Sequence, residues 1–323
     1  MTKKRKNASY LALHRDGTLL ERAREARHLL QGCHVCPHAC GGNRLAGELG
    51  KCGIGAKARV ASFGAHFGEE SPLVGRNGSG TIFFEGCSLR CIFCQNHDIS
   101  HIDNQGDASP QAVDDAALAA IMLNLQAQGC HNINLVTPTH VVPQIIAALP
   151  LAVDQGLKLP LVYNSSGYDH SPTLRLLAGI VDIYMPDSKF WTAEAAARYT
   201  NAEDYPAVMQ TALKEMHRQV GDLQIDEAGL AWRGLLVRHL VMPGLLAETR
   251  GVLEFLAREI GPETYVNIMD QYRPCHQAYG DDTINRPLCA EEYAQALAMA
   301  KELGLQRLDQ RDWLRLLRHL GHD

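Results

Sequence analysis

The stretch TIFFEGCSLRCIFCQNHD, residues 81–98, runs an apolar segment straight into a loop that carries Cys87, Cys91 and Cys94. TIFF has no polar alternation, and such a run reads as a strand covered on both faces, the usual state of a strand in a parallel sheet. The loop after it gathers three thiols within eight residues and supplies no fourth. It is either a zinc site completed by His97 or an iron–sulfur centre held by three thiolates with one iron exposed. Zinc knuckles favour two-residue gaps, and the first gap here is three. Spacing therefore favours the iron–sulfur reading.

Outward from this loop, short apolar runs alternate with helical patterns. NINLVT (132–137), LPLVYNSSG (159–167), VDIYMPD (181–187), LLVRHLVMPG (235–244) and TYVNIMDQYRP (264–274) read as strands. Between them lie helices. One is expected to start at Ser109 and Pro110, a good cap and first-turn pair, and to run through Leu118, Ile121, Met122 and Leu125 to Gly129. SPTLRLLAG (171–179), TAEAAARY (192–199), AVMQTALKEMHRQVG (207–221) and AETRGVLEFLAREIG (247–261) are also helical. DLQIDEAGLAWRG (222–234) interrupts the alternation as a small hairpin. With residues 81–86 included, about six strands are expected, fewer than the eight of a closed barrel, so an open, partial α/β barrel is the economical architecture.

Upstream, CHVCPHACGGNRLAGELGKCG (33–53) holds Cys33, Cys36, Cys40 and Cys52 among glycines and few apolar residues. It cannot make a core by itself and reads as a knuckle folded around a metal. Zinc and a 4Fe-4S cluster both stay open, with the short gaps favouring a second cluster and with His34 and His38 expected to face solvent or lie outside the ligand set. Of the remaining thiols, Cys130 and Cys289 are expected to be buried small hydrophobes.

The bulk properties exclude other classes. The chain has 323 residues, 46% hydrophobic, and a formal net charge of −5, which argues against a broad nucleic-acid footprint. The basic run KKRK (3–6) is short and is followed by no apolar stretch, so it reads as a solvated tail rather than a leader. No window is apolar enough to span a membrane, and clustered cysteines in an unexported chain are expected to stay reduced, so a cytoplasmic location is expected. Four units follow: a tail and helix (1–32), the cysteine-rich knuckle (33–75), the barrel (76–289) and C-terminal helices (290–323). Within the last, the amphipathic DQRDWLRLLRHL (309–320) is expected to close the barrel or contact a partner.

CSLRCIFC, with the aromatic Phe93 before the last cysteine, resembles the signature of the radical S-adenosylmethionine (radical SAM) enzymes. GCSLRCIFCQNHDIS (86–100), YMPDSKF (184–190) and NIMDQYRP (267–274) resemble the pyruvate formate-lyase activating enzymes, and more closely a PflX-type branch of iron–sulfur proteins. The resemblance implies a six-stranded partial barrel. It also implies a 4Fe-4S cluster on Cys87, Cys91 and Cys94 whose open iron chelates S-adenosylmethionine, giving an oxidoreductase fed by a donor such as flavodoxin or ferredoxin. Reductive cleavage then yields a 5′-deoxyadenosyl radical for hydrogen abstraction, with a glycyl-radical enzyme as the substrate. Asp187 and Lys189 match a pair that contacts the cofactor, Asn164 and Ser165 fall where the methionine or ribose is approached, and Phe93 accompanies them. TPTH (137–140) departs from the glycine-glycine-glutamate stretch of the family, and no role passes to it. Asp270, Gln271, Tyr272 and Arg273 are candidate substrate-facing groups by position. The cysteine-containing insert that many activases carry after the radical motif is absent here. Two other classes remain: a radical enzyme modifying a peptide or small metabolite, and a non-catalytic iron–sulfur or zinc protein.

Overall fold

The computed structural model describes residues 7–102 and 105–309. The tail at 3–6 and nearly all of the amphipathic stretch at 309–320 lie outside the described residues. Nine strands form one sheet: β1 (Ala58–His66), β2 (Ser79–Phe84), β3 (Ala112–Val113), β4 (Ile133–Val136), β5 (Leu161–Ser165), β6 (Ile183–Pro186), β7 (Gln224–Ile225), β8 (Ala231–Leu240) and β9 (Tyr265–Met269). The protein is thus a mixed α/β fold. The order is β3-β1-β2-β4-β5-β6-β8-β7, with β9 on the other part of β8.

Six of these strands, β2, β4, β5, β6, β8 and β9, pair in parallel with their neighbours and follow one another in chain order. They correspond to the six apolar runs of the sequence. Parallel pairing requires a crossover between strands, and helices supply it. The helix Val142–Asp154 buries Ile145, Ile146, Leu149 and Ala152, and Tyr205–Val220 buries Met209, Leu213 and Met216. Each large aliphatic side chain buried in this way contributes about 1.5–3 kcal/mol. A second, smaller apolar cluster joins Leu73 to Val162, Ile183, Met185 and Leu236.

The helix expected from Ser109 begins at Asp115, and Asp114 caps it by accepting from the Ala117 amide at 2.8 Å. The cause lies in the sheet: Ala112 and Val113 pair with Arg59 and Ala58 as β3. β1 went unread, and it places residues 58–66, inside the expected knuckle, antiparallel to β2. The hairpin expected at 222–234 is present as β7 against β8, turning through Asp226 and Gly229. The helix expected in the first unit is present. The helix Thr18–His28 buries Leu19, Ala23 and Ala26 and packs on Val142–Asp154.

Candidate functional site at the carboxyl ends of the parallel strands

Because all six parallel strands run the same way, their carboxyl ends converge, and a cavity of about 270 Å³ opens there. Cys87, Cys91, Cys94, Phe93, Asn164, Ser165, Asp187 and Lys189 all line it, so residues spread over a hundred positions of sequence meet at one place. Val136 and Thr137 after β4, Arg238 and Leu240 of β8, and Met269 and Gln271 after β9 complete the wall. This is the position where open α/β sheets bind ligands.

The thiols are held by their own loop. The Leu89 amide donates to Cys87 Sγ at 3.4 Å, and Ser100 Oγ lies 3.2 Å from Cys94 Sγ. Burial pushes both the Cys87 and the Cys91 thiols up from their ordinary value; the Lys189 ammonium opposes that rise at each. Uncompensated thiolates are therefore unfavourable here, and a cationic partner would reverse this by displacing the protons. Behind Cys91, Phe93 meets Phe190 edge-on at 6.0 Å and leans on Tyr272 at 6.3 Å.

The opposite wall is a charged network. Lys189 Nζ donates to Asp187 Oδ2. Arg238 Nε donates to Asp187 Oδ1 at 2.9 Å, and its Nη2 donates to Asn164 Oδ1 at 2.6 Å. Burial acts most strongly on Asp187 and would raise its pKa, but Arg238 and Lys189 together hold the carboxyl below the ordinary carboxylate range. The aspartate thus stays ionised while fixing two cations. Gly167 makes the approach possible: with φ at +77°, a Cβ there would fall 2.1 Å from the Asp187 carbonyl.

Ser165 lines the cavity, but its hydroxyl donates to Asp169 Oδ2 at 2.6 Å and accepts from the Gly167 amide at 3.2 Å. Asp169 also takes Thr139 Oγ1 at 2.7 Å and Tyr163 OH at 2.9 Å. These hydroxyls brace the turns after β4 and β5. Thr137 adopts φ +57°, an uncommon conformation for a β-branched residue. Of the candidates after β9, Gln271 lines the cavity and its carbonyl accepts from Gln95 Nε2 at 3.1 Å. Tyr272 is buried with its hydroxyl on the Ile284 carbonyl at 2.7 Å, while Asp270 and Arg273 are exposed. His97, the fourth zinc ligand considered above, stacks on His276 at 4.9 Å. Arg238 was missed. Its one sequence signal is a charge at the alternate position between Leu236 and Leu240, within the run LLVRHL.

Cys33, Cys36, Cys40 and Cys52 gather separately, against the back of the three-cysteine loop. Cys36 feels the charge of the other three, Cys33 reaches Cys40, and the sulfurs of Cys52 and Cys40 both stand over Gly50. Burial pushes the Cys36 thiol up to about 12. His38 is not spare: its Nε2 lies 2.7 Å from the Ser88 carbonyl. Cys130 is buried as expected, but Cys289 is exposed, because it caps the helix Ala290–Glu302 in a reciprocal arrangement with Glu292. Among the described residues, no three Cys, His, Asp or Glu side chains stand close enough to hold one metal ion. A cube spreads its ligands more widely than a single ion does, since each thiolate takes its own iron. Nor does any helix among the described residues have the length and apolarity to cross a membrane.

No protein-family model matches the chain. It is 31% identical over 284 residues to a protein of Methanocaldococcus jannaschii named "Uncharacterized protein MJ0674", an alignment that covers 87% of this chain and 77% of that one.

Proposed function

The chain belongs to the family of that Methanocaldococcus jannaschii protein, and from the geometry of the cavity we propose that it is a radical S-adenosylmethionine enzyme with the partial-barrel fold of that class. The observation that carries the reading is the convergence of Cys87, Cys91 and Cys94 on one cavity with Asn164, Asp187, Lys189 and Arg238. Three soft donors, with no fourth cysteine lining the cavity among the described residues, suit a 4Fe-4S cluster with one open iron, and the polar wall opposite suits a zwitterionic nucleoside ligand. The run of six parallel strands in chain order supports the fold. Cys87, Cys91 and Cys94 would hold the cluster, which when bound and reduced by a flavodoxin or ferredoxin would supply the one electron needed to split S-adenosylmethionine into methionine and a 5′-deoxyadenosyl radical for hydrogen abstraction.

The chain's own residues then have assignable work. Lys189 places a fixed positive charge beside Cys87 and Cys91 and so favours their thiolate forms. Asp187 orients Lys189 and Arg238, and Arg238 fixes the amide of Asn164, so this wall is set before a ligand arrives. Phe83, Phe84, Leu89 and Phe93 give the cavity apolar surface that keeps water from a reactive intermediate.

The test is anaerobic reconstitution with iron and sulfide, followed by S-adenosylmethionine and reductant. Reductant-dependent 5′-deoxyadenosine is expected from the native chain; its absence from fully loaded protein overturns the reading. As substrate we propose a glycine-bearing loop of a partner protein. The connections at 137–138, 166–170 and 187–192 are short, which supports access of a large substrate to the ends of β4, β5 and β6. A doublet glycyl signal in electron paramagnetic resonance with a co-expressed glycyl-radical enzyme supports this. A small molecule that accelerates deoxyadenosine release in its place assigns a metabolite-modifying enzyme.

A further inference from the structure

Arg44 is fully buried. Its Nε donates to the Gly55 carbonyl at 2.8 Å and its Nη1 to the His140 carbonyl at 2.9 Å, while Nη2 has no partner. No carboxylate pairs with it among the described residues. A guanidinium cannot shed its proton, and an isolated buried charge costs several kcal/mol, so some anion is required. The groups that face it are thiols. Arg44 Nη1 lies 3.8 Å from Cys33 Sγ, and its charge acts on Cys52 as well. Neutral thiols cannot balance a guanidinium. Thiolates can, and four of them crowded together persist only around a metal.

We propose that Cys33, Cys36, Cys40 and Cys52 hold a second iron–sulfur cluster with no open position, and that Arg44 is the buried counter-ion of its negative charge. This goes beyond the three-cysteine cavity and does not depend on it. Loading exchanges the four thiol protons for iron–sulfur bonds and takes two ferrous ions, two ferric ions and four sulfides per cluster, all supplied in the anaerobic reconstitution. The short gaps between Cys33, Cys36 and Cys40, two residues and then three, favour a cluster over zinc.

The module has a defined place. Gly86, with φ at +80°, lies so close to the Cys52 carbonyl that a Cβ would meet it at 2.6 Å. The residue before Cys87 is therefore in contact with a ligand of the second site. His140, whose carbonyl holds Arg44, also places Nε2 2.8 Å from the Glu85 carbonyl. Arg44 is a positioning residue between the two cysteine loops.

The test uses the full chain carrying Cys87→Ala, Cys91→Ala and Cys94→Ala, reconstituted anaerobically. About four irons per chain are expected to remain, and to disappear when Cys33→Ala and Cys52→Ala are added. Zinc in their place, or no metal, overturns the proposal. In the same background, Arg44→Met should make the cluster at least tenfold harder to reduce, a shift of about 59 mV to more negative potential, with Arg44→Lys nearer the native value. An unchanged potential in Arg44→Met overturns the counter-ion role. If Arg44→Met fails to load, Arg44→Lys decides: loading with lysine upholds the charge, and failure of both assigns Arg44 to its carbonyl bonds alone. Thermal unfolding gives a second readout. Arg44→Met should lower the melting temperature of loaded protein more than that of metal-free protein, whereas equal losses contradict the proposal.

Discussion

The two cysteine sites lie back to back, in contact through Gly86 and Cys52, yet their surroundings are opposite in kind. Around Cys87, Cys91 and Cys94 there is a cavity whose charges are already paired, two cations with two carboxylates: Asp187 with Lys189 and Arg238, and Arg238 also with Glu69 at 3.9 Å. Around Cys33, Cys36, Cys40 and Cys52, three of them buried and Cys40 partly so, lies the buried Arg44, which has no carboxylate partner among the described residues. A site that is to receive a ligand keeps its electrostatics balanced and its volume open. On the proposal above, a site with four ligands can leave a charge for its bound cluster to neutralise. The count of ligands and the state of the nearby charges thus separate a reactive centre from an enclosed one.

The largest effect is expected at the open site. Replacing Cys87, Cys91 or Cys94 by Ala should reduce deoxyadenosine formation to background in a chromatographic assay. Undiminished cleavage in any one variant removes that cysteine from the ligand set.

Next is the wall facing those cysteines. Asp187→Ala leaves Lys189 and Arg238 buried without their carboxylate, and should cost about 3 kcal/mol in denaturant unfolding. A loss as small as that of a surface pair would mean that the network is not pre-set.

Beneath the cavity, Glu70 accepts from Asn267 Nδ2 at 2.8 Å, and its other oxygen has no hydrogen-bond partner. Burial, the leading cause, and Glu69 outweigh Arg238 and raise this carboxyl from 4.5 to about 7. The folded chain therefore holds the proton more tightly than the unfolded chain. Its contribution to stability is complete below about pH 4.5 and is lost as pH rises through about 7. Glu70→Gln should flatten that decline and raise stability at alkaline pH by on the order of 2 kcal/mol. Melting temperatures measured across this range check the sign.

The smallest effect concerns Thr137. Thr137→Gly should relieve a left-handed backbone and stabilise the protein by about 1 kcal/mol. A destabilised variant would show that the threonine side chain makes a compensating contact.

Much of this was legible in the sequence, for identifiable reasons. Cys87, Cys91 and Cys94 are read from local spacing, and the six parallel strands from apolar runs whose faces are both covered. Asp187 and Lys189 stood out as charges directly after such a run. What escaped depends on pairing between distant segments. Arg238 reaches Asp187 and Asn164 only because β8 lies beside β6, and β6 beside β5. Arg44 looked like one more polar residue in a glycine-rich loop until the turn of 33–53 buried it. β3 displaced the start of the helix at Asp115 because β1, itself unread, offered an edge to pair with. The engaged hydroxyl of Ser165 shows the reverse case, where a residue expected to meet a ligand also braces the turn that carries it.

The most direct test of the difference between the two sites is electron paramagnetic resonance of the reconstituted, reduced full-length chain with and without S-adenosylmethionine. Two reduced centres are predicted. Only one spectrum should change on addition, and the unchanged one should persist in the Cys87→Ala, Cys91→Ala, Cys94→Ala chain. Signals that both respond, that both fail to respond, or a responding signal that survives in that triple variant would contradict the account.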